Sequence, residues 1–380
     1  MKINKREFLK YTGVLGAGII TVNSMTACTA KSVKKKRAGS RKELNLHFKP
    51  YTLQLKHSFN LAVSSRTTTP AILTEIEWDG ITGYGEASMP PYLGESVESV
   101  SKFLSSLNLQ QFNNPLLLED ILDYVENAAP GNSAAKASVD IALHDLAGKV
   151  LGEPLYRLLG LNPEKAPDTS FTIGIDTPDV VRQKVKEAEP YKILKVKLGG
   201  GNDREMIETV KEMTNKPLCV DVNQGWKDRS YALEMAQWLK EQGVAFLEQP
   251  MPKEMVDDIA WLNERSPIPV IGDEAIQNLG DLMKYKDVYS GVNVKLMKCG
   301  GIRAAYVMLK SARTLGLKTM IGCMTETSCA VTAASHLSPL AEWCDLDGNL
   351  LISNDPFEGI KITNGKVIIP DRPGIGIVKI

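Results

Sequence analysis

Two lysines stand two positions apart inside a short apolar run, YKILKVKLGG at residues 191–200. In a β-strand, residues i and i+2 point to the same face, so Lys195 and Lys197 would share one face. Leu194 and Val196 would take the other. If the apolar face packs on helices, both ammonium groups point into the interior, where an unpaired charge is costly. The run therefore predicts an anionic group close to both lysines.

Three carboxylates stand at the ends of consecutive strand-like runs, CVDVN, FLEQP and IGDEA. They are Asp221, Glu248 and Asp273, and they are separated by 27 and 25 positions, about one strand–helix unit each. The carboxyl ends of parallel strands meet at one end of a barrel, so these groups should converge. Three carboxylates in a dry site need a cation, and oxygen-only ligands indicate a hard ion such as Mg²⁺. Alternatively, each caps its own helix or forms a separate ion pair.

A third lysine lies in the next strand-like run, GVNVKLM, where Asn293 and Lys295 share a face. Lys295 should enter the barrel roughly opposite Lys197, which suggests two general acid/base groups on either side of one substrate carbon. A nearby cation and a second lysine should lower an ammonium pKa toward neutrality. Lys195 would contribute to that effect and could contact a substrate carboxylate. Alternatively, the lysines only neutralise the carboxylates.

The elements that must position these groups alternate regularly along the chain. Eight short apolar runs, from FTIGI to EWCDLD, are separated by seven amphipathic helical stretches, which favours a parallel barrel; an open doubly wound sheet is the alternative. Before them, from about residue 44, alternating runs and the Gly-rich ITGYGEA predict an antiparallel sheet followed by helices. The tail from about residue 348 is expected to return to this first unit.

The overall composition excludes few classes of protein function. The composition of the first 43 residues differs from that of the rest of the chain. The chain has 380 residues with equal numbers of acidic and basic side chains, which gives no indication of nucleic-acid binding. Basic residues precede a short, interrupted apolar stretch, which fits a signal peptide better than a membrane span. KREFLK resembles a weakened twin-arginine signal, and MTAC resembles a lipobox ending at Cys28. We therefore expect export and a membrane tether at Cys28; a disordered tail, with a cytoplasmic location, is the alternative.

The order of KVK, DVNQGW, EQP, GDE and NVKLMKCGG resembles the enolase superfamily, muconate-lactonizing subgroup. The resemblance implies a modified TIM barrel, (β/α)7β, covered by an α+β capping domain formed by the N-terminal region and the C-terminal tail. With the export segment at 1–43, the change of pattern along the chain predicts a capping domain at 44–165, a barrel at 166–347 and a returning segment at 348–380. The resemblance also implies one Mg²⁺ per subunit on Asp221, Glu248 and Asp273, with Lys197 and Lys295 as the acid/base pair, and a homo-oligomer.

A further pair of carboxylates narrows the expected substrate. CDLDG places Asp345 and Asp347 on one face at the barrel mouth, where they would suit a substrate ammonium; a solvated turn is the alternative. This D-x-D resembles the dipeptide epimerases, in which the pair holds the α-ammonium of the first residue. The resemblance implies an isomerase that inverts the Cα of the second residue, Ala-Glu being the best-known substrate type. The additional substrate contacts that it implies are Thr172, Cys323, Met324 and Thr325.

Preference for the second residue should come from two loops over the barrel, at 60–70 and 88–96. In Ala-Glu epimerases an arginine of the first loop pairs with the glutamate side chain, and Arg66 is the candidate here, about two positions from the expected place. A small or hydrophobic second residue is therefore also considered. Rival activities within the superfamily are N-acylamino acid racemase, o-succinylbenzoate synthase and muconate cycloisomerase. A lipoprotein that binds peptides without catalysis is the rival from another class.

Overall fold

The computed structural model describes residues 42–61 and 64–380. The predicted export segment, with Cys28, lies outside the described residues apart from its last two positions. Within the described part, no helix combines the length and apolar character needed to cross a membrane.

The N-terminal unit begins with a three-stranded antiparallel meander, β1 (Asn45–Leu61), β2 (Ser64–Trp78) and β3 (Ile81–Ser88), in that order. The turn between β2 and β3 is Asp79–Gly80, and both residues have positive φ, which is the backbone that an Asp-Gly hairpin turn needs. Four helices follow, α1 (Val97–Ser106), α2 (Leu118–Ala128), α3 (Ser133–Leu151) and α4 (Leu155–Leu158).

Helix α3 is buried along most of its length because it packs directly on this sheet. Gly85 of β3 makes the close approach possible, since a Cβ there would collide with the carbonyl oxygen of Ser138. Helix α3 is therefore buried on nearly all sides, and its buried residues include Lys136, Asp140, His144 and Asp145 as well as apolar side chains.

The second unit is an eight-stranded parallel sheet whose strands pair strictly in chain order. Its strands are β4 (Ser170–Ile173), β5 (Ile193–Lys197), β6 (Leu218–Asp221), β7 (Val244–Glu248), β8 (Val270–Gly272), β9 (Gly291–Lys295), β10 (Lys318–Gly322) and β11 (Trp343–Asp345). A parallel bridge between Thr169 and Cys344 joins the first strand to the last. This closure confirms the predicted barrel and shows that the open doubly wound sheet was wrong.

Helices connect successive barrel strands, as predicted. They are α5 (Pro178–Glu187), α6 (Asp203–Met213), α7 (Arg229–Glu241), α8 (Val256–Arg265), α9 (Leu279–Tyr285), α10 (Leu296–Cys299), α11 (Ile302–Thr314) and α12 (Ser328–Ser335). One buried cluster of Cys219, Phe246, Ile271 and Met320 lies apart from the main core. Each member points inward from its strand, so this cluster fills the barrel below the polar side chains at the carboxyl ends.

The C-terminal tail contributes two small pairs of strands. These are β12 (Phe357–Glu358) with β15 (Val378–Lys379), and β13 (Lys361–Thr363) with β14 (Lys366–Ile368). The tail contacts the N-terminal sheet, since the N–H of Ser353 donates to the carbonyl of Gln54 at 2.8 Å and the rings of Phe357 and Tyr84 lie 5.5 Å apart. The domain boundaries at 43, 165 and 347 stay predictions.

Candidate active site

The three predicted metal ligands converge at the carboxyl end of the barrel. Asp221 and Glu248 end β6 and β7 as paired residues, and Asp273 follows β8 directly. One carboxylate oxygen of each lies within 4.8 Å of the others, and all three side chains are buried. The alternative that each caps a helix is wrong, because the residues preceding α7, α8 and α9 are Asp228, Met255 and Asn278.

One carboxylate oxygen of this cluster, in Glu248, accepts no hydrogen bond from the described part of the protein. The Oε1 of Glu248 accepts a hydrogen bond of 2.7 Å from the Asn293 amide, whereas its buried Oε2 accepts none, although Lys195 Nζ lies 2.8 Å away. Burial, with Asp221 beside it, raises the pKa of Glu248 to about 7. A buried carboxylate oxygen with an unused lone pair, facing two more carboxylates, fits a hard divalent cation.

The lysines alternate on the strands as predicted and contact these carboxylates. Lys197 Nζ lies 2.7 Å from Asp221 Oδ2, and Lys295 Nζ lies 2.8 Å from Asp273 Oδ2. The lysines therefore form ion pairs with the carboxylates, and whether they also act as acid and base stays a prediction. Strands β5 and β9 are four places apart in an eight-stranded barrel, so Lys197 and Lys295 enter from opposite sides.

The pKa values of Lys195 and Lys295 are raised, not lowered, by the carboxylates that they contact. Burial, the largest single effect, lowers the pKa of Lys295, but Asp273, Tyr92 and Glu248 outweigh it and raise the pKa well above its usual range. For Lys195 the carboxylates of Asp345, Glu248 and Asp221 have the same result. The prediction considered a nearby cation and a second lysine, and it left out the effect of carboxylates in direct contact with the ammonium groups.

A cavity of about 330 Å³ opens above these residues. All predicted site residues line it except Asp221 and Glu248, which are fully buried. Lys195 also lines this cavity, although its side chain is almost fully buried and lies 2.7 Å from Asp345 and 3.1 Å from Asp221, and its contact with a substrate carboxylate stays a prediction.

Asp345 and Asp347 are both buried, so the alternative of a solvated turn is wrong. Asp345 accepts hydrogen bonds of 2.7 Å from the Ser170 hydroxyl and from Lys195, while Asp347 accepts one of 2.7 Å from the backbone N–H of Thr172. Burial, with Asp345 nearby, raises the pKa of Asp347 to about 7. Within residues 42–61 and 64–380, no ammonium or guanidinium forms an ion pair with Asp347, whereas Asp345 has Lys195.

The loop after β10 forms one wall of the cavity. The backbone N–H of Cys323 donates to the Asp345 carbonyl at 3.1 Å, which ties this loop to the next strand. The backbone N–H of Met324 donates to Glu326, and the hydroxyl of Thr325 lies 2.8 Å from that of Thr69 on β2. Arg66 also reaches this wall, because its guanidinium donates to the hydroxyls of Thr69 and Thr325 at 3.1 and 3.2 Å.

Several residues that line the cavity were not predicted from the sequence. Tyr92, in the predicted second loop, covers the cavity and donates its hydroxyl to Met324 Sδ at 3.3 Å. Asn223 and Glu274 hydrogen bond to each other at 3.2 Å, and each keeps one buried oxygen without a partner. Their position one or two residues after a metal ligand was the available signal. For Tyr92 the sequence indicated the loop but not the residue.

Lys298 was also missed, although a charged residue inside the apolar LMKC segment was a usable signal. Its Nζ lies 2.6 Å from Asp273 Oδ1 and 2.8 Å from the Asn293 carbonyl, and the side chain is almost fully buried. Together with Lys295 it gives Asp273 a cation on each oxygen and lowers the pKa of that carboxyl, despite burial that raises it.

Comparison with known proteins places this geometry in context. Residues 179–378 match the family model described as enolase C-terminal domain-like, and residues 48–160 match that of the mandelate racemase / muconate lactonizing enzyme N-terminal domain. The chain is 56% identical to an L-Ala-D/L-Glu epimerase of Bacteroides thetaiotaomicron, over 99% of this chain and 100% of that protein. It is 41% identical to an L-Ala-D/L-amino acid epimerase of Pedosphaera parvula, over 87% and 97%.

A solved structure gives the same result at the level of the fold. A dipeptide epimerase from Cytophaga hutchinsonii, crystallised with Mg and the dipeptide D-Ala-L-Val, superposes with a TM-score of 0.83. The two chains are 26% identical, and the match covers 90% of this chain and 96% of the other.

Proposed function

Because the chain belongs to the mandelate racemase and muconate lactonizing enzyme family of the enolase superfamily, we propose that it is a Mg²⁺-dependent dipeptide epimerase. It inverts the Cα of the second residue in dipeptides that begin with Ala. The observation that supports this most directly is that Lys197 and Lys295 enter one cavity from opposite sides, above three clustered carboxylates and beside an acidic pair.

The residues that would hold the Mg²⁺ are Asp221, Glu248 and Asp273, whose donor set contains oxygen only. When bound, the ion stabilises the negative charge that develops on the substrate carboxylate as the α-proton leaves. Asn293 and Lys298 keep Glu248 and Asp273 in place through hydrogen bonds of 2.7 and 2.6 Å.

The two lysines carry the proton transfer. One of them, as a neutral amine, takes the proton from Cα, and the electron pair of the C–H bond stays on the substrate. The other, as an ammonium, gives a proton to the opposite face of the same carbon. Because Lys197 and Lys295 lie on opposite sides, the product has the inverted configuration.

Asp345 and Asp347 would recognise the ammonium of the first residue. A buried carboxylate without its own cation costs free energy, so a substrate ammonium at Asp347 is favourable. An N-acylated amino acid has no ammonium to place there. The acidic pair therefore favours a dipeptide over the substrates of N-acylamino acid racemase or o-succinylbenzoate synthase.

The second residue of the dipeptide would lie near Arg66, which reaches the cavity through Thr69 and Thr325. A guanidinium at this point suits a glutamate side chain, and the relative from Bacteroides thetaiotaomicron carries Glu in its name. Ala followed by a small or hydrophobic residue is the alternative.

Incubation of the protein with a library of L,L dipeptides in deuterated water, with Mg²⁺, tests this function. Deuterium at the Cα of the second residue, with appearance of the L,D product, is the expected result. N-Acetylated dipeptides and N-succinyl amino acids serve as the comparison. Exchange only in these acylated compounds would favour the rival racemase activity, and no exchange in any compound would favour a protein that only binds peptides.

We further infer from residues 1–43 that the protein is exported and tethered to a membrane through Cys28, and from the family that it forms homo-oligomers. An external location would suit peptides derived from murein or from digested protein. Fractionation of cells that express the wild type and Cys28→Ala tests the tether, since the variant should leave the membrane fraction. Light scattering of the purified chain tests the oligomer.

A further inference from the structure

A second cavity, of about 240 Å³, adjoins the candidate active site. It lies between the end of β1, the start of the barrel at β4 and α5, and the segment after β11. One water molecule needs only about 10–15 Å³ by a comparable measure, so the space is large enough for an organic group. We refer to it as the side cavity.

The side cavity lies next to Asp347 of the acidic pair. Thr172 and Leu351 line both cavities, and the backbone N–H of Thr172 is the group that donates to Asp347 Oδ2 at 2.7 Å. In a dipeptide bound as proposed, the ammonium at Asp347 is separated from Cα of the first residue by one bond of about 1.46 Å. The side chain of that first residue is therefore within reach of the side cavity.

The walls of the side cavity are mostly apolar. Phe171 and Tyr191 stack with their ring centroids 4.6 Å apart, and Leu55, Leu350 and Leu351 complete the surface. All five are partly exposed. An apolar guest would cover this surface and remove water from it, which is favourable in proportion to the area buried.

Most charged groups around the side cavity already have partners. Lys184 Nζ lies 3.1 Å from Asp176, and His57 Nε2 lies 3.6 Å from Glu187. The remaining charged residue of the lining, Lys56, is exposed, so its ammonium group can stay in water when an apolar guest enters. The chemistry of the walls thus favours aliphatic and aromatic side chains.

We propose that the side cavity is a subsite for the side chain of the first residue of the dipeptide, and that it accepts apolar groups larger than methyl, such as those of Leu, Met or Phe. This inference depends on the proposed function for the position of the ammonium. It adds that dipeptides with an Ala first residue leave the side cavity unfilled.

Gly174, which lines the side cavity, offers a matched pair of variants. Its φ lies outside the positive range, and an added Cβ would meet its nearest atom, the Asn60 carbonyl oxygen, at 3.5 Å, so Gly174→Ala should be tolerated. Gly174→Leu adds a bulky side chain next to Lys184. Leu350→Trp narrows the side cavity from another wall and serves as the second test if Gly174→Leu does not fold.

The test compares kcat/KM for Leu-Glu and Phe-Glu with that for Ala-Glu. In the wild type, Leu-Glu should be used within about tenfold of Ala-Glu or better, because the side cavity accepts the added carbons. Gly174→Leu and Leu350→Trp should lower the ratio of Leu-Glu to Ala-Glu by about tenfold or more, and Gly174→Ala should keep it. Turnover of Ala-Glu reports that each variant is folded.

Three outcomes would overturn the proposal. The first is a wild type that uses Ala-Glu but neither uses nor binds Leu-Glu. The second is a ratio that stays constant in both filled variants. The third is a tripeptide, Ala-Ala-Glu, whose turnover falls in Gly174→Leu while turnover of Leu-Glu does not. In that case the side cavity would hold a residue that precedes the dipeptide.

If the proposed function is wrong, the result differs from these three outcomes, because no dipeptide exchanges its α-hydrogen. Calorimetric binding of Leu-Glu and Ala-Glu to the wild type and to Gly174→Leu, with Mg²⁺ present, still tests the side cavity in that case. A selective weakening of Leu-Glu by about tenfold supports it, and an equal effect on both dipeptides refutes it.

Discussion

Lys195 Nζ lies 2.7 Å from Asp345 Oδ2, although the two residues are 150 positions apart in the chain. The same ammonium lies 2.8 Å from Glu248 and 3.1 Å from Asp221. Lys195 thus connects the three-carboxylate cluster to the acidic pair and offsets part of the negative charge of both. One buried cation couples the site proposed for the metal to the site proposed for the substrate ammonium.

Removal of either acid/base lysine should greatly slow epimerisation but leave hydrogen exchange on one face of the substrate carbon. Lys197→Met and Lys295→Met should each lower the epimerisation rate by about 10²–10⁴-fold, the usual contribution of a general acid or base. Each variant should still exchange the α-hydrogen of one epimer, Ala-L-Glu or Ala-D-Glu, because the remaining lysine faces only one side. NMR in deuterated water measures this. Lys192→Met, at an exposed lysine just before β5, is the control. Exchange of the same epimer by both variants would contradict the assignment to opposite faces.

Lys298→Met should weaken Mg²⁺ binding by about 10–100-fold, because the ligand Asp273 loses the partner that orients its Oδ1. Isothermal calorimetry with MgCl₂ on the substrate-free protein measures the affinity directly. At saturating Mg²⁺ the variant should recover most of its kcat, since Lys298 lines no part of the cavity. Lys284→Met, at an exposed lysine of α9, should bind Mg²⁺ as the wild type does. A normal affinity in Lys298→Met would show that Lys298 has only a structural role.

Asp347→Asn should raise KM for Ala-Glu by about 10–100-fold, because a charge-assisted hydrogen bond to the substrate ammonium is lost. The folded pKa of Asp347 is raised to about 7, so in the wild type KM should rise as pH falls below about 7 and the free carboxylate becomes protonated. The Asn variant should lose this part of the pH dependence. N-Acetyl-Ala-Glu binding should be the same in both proteins. A variant with unchanged KM for Ala-Glu would place the ammonium elsewhere.

Arg66→Ala should lower kcat/KM for Ala-Glu by about 10–100-fold more than for Ala-Ala, because only the Glu side chain offers a carboxylate to the guanidinium. Arg66→Lys keeps the positive charge and should give an intermediate result. Steady-state kinetics on the two dipeptides measures the difference. An equal loss on both substrates would show that Arg66 only supports the wall formed by Thr69 and Thr325.

His336 should make the protein sensitive to acid. The backbone N–H of Tyr156 donates to its Nδ1 at 3.0 Å, so its Nε2 carries the proton that is donated to the Ile375 carbonyl at 3.1 Å. Burial lowers the folded pKa of His336 to about 4, against about 6.5 in an unfolded chain. Between these values the unfolded state binds the additional proton, so stability falls as pH falls from about 6.5 to 4, by up to about 3 kcal/mol.

Urea unfolding of the wild type and His336→Gln at several pH values isolates this effect, since carboxyl groups that titrate in the same range are common to both. The difference in unfolding free energy between the two proteins should shrink toward low pH. His47→Gln, at an exposed histidine of β1, should follow the wild type. A difference that does not change with pH would contradict the neutral, buried state of His336.

Much of the catalytic centre was predictable from the sequence because its signals are local. Side chains alternate with a period of two along a strand, so the spacing of Lys195 and Lys197, and of Asn293 and Lys295, determines which face they share. Parallel strands in chain order bring their carboxyl ends together, so Asp221, Glu248 and Asp273 had to converge once the barrel formed. Neither the alternation of side chains nor the convergence of strand ends depends on the conformation of the loops.

Only the tertiary structure decided which groups neutralise one another and what shape the cavity has. The contacts of Lys195 with Asp345, of Lys298 with Asp273 and of Arg66 with Thr325 join segments whose approach depends on barrel closure and on loop conformation. The side cavity exists because β1 and the segment after β11 pack against the start of the barrel. Chain periodicity carries no information about such contacts, since they result from the packing of distant elements and not from the spacing of neighbours.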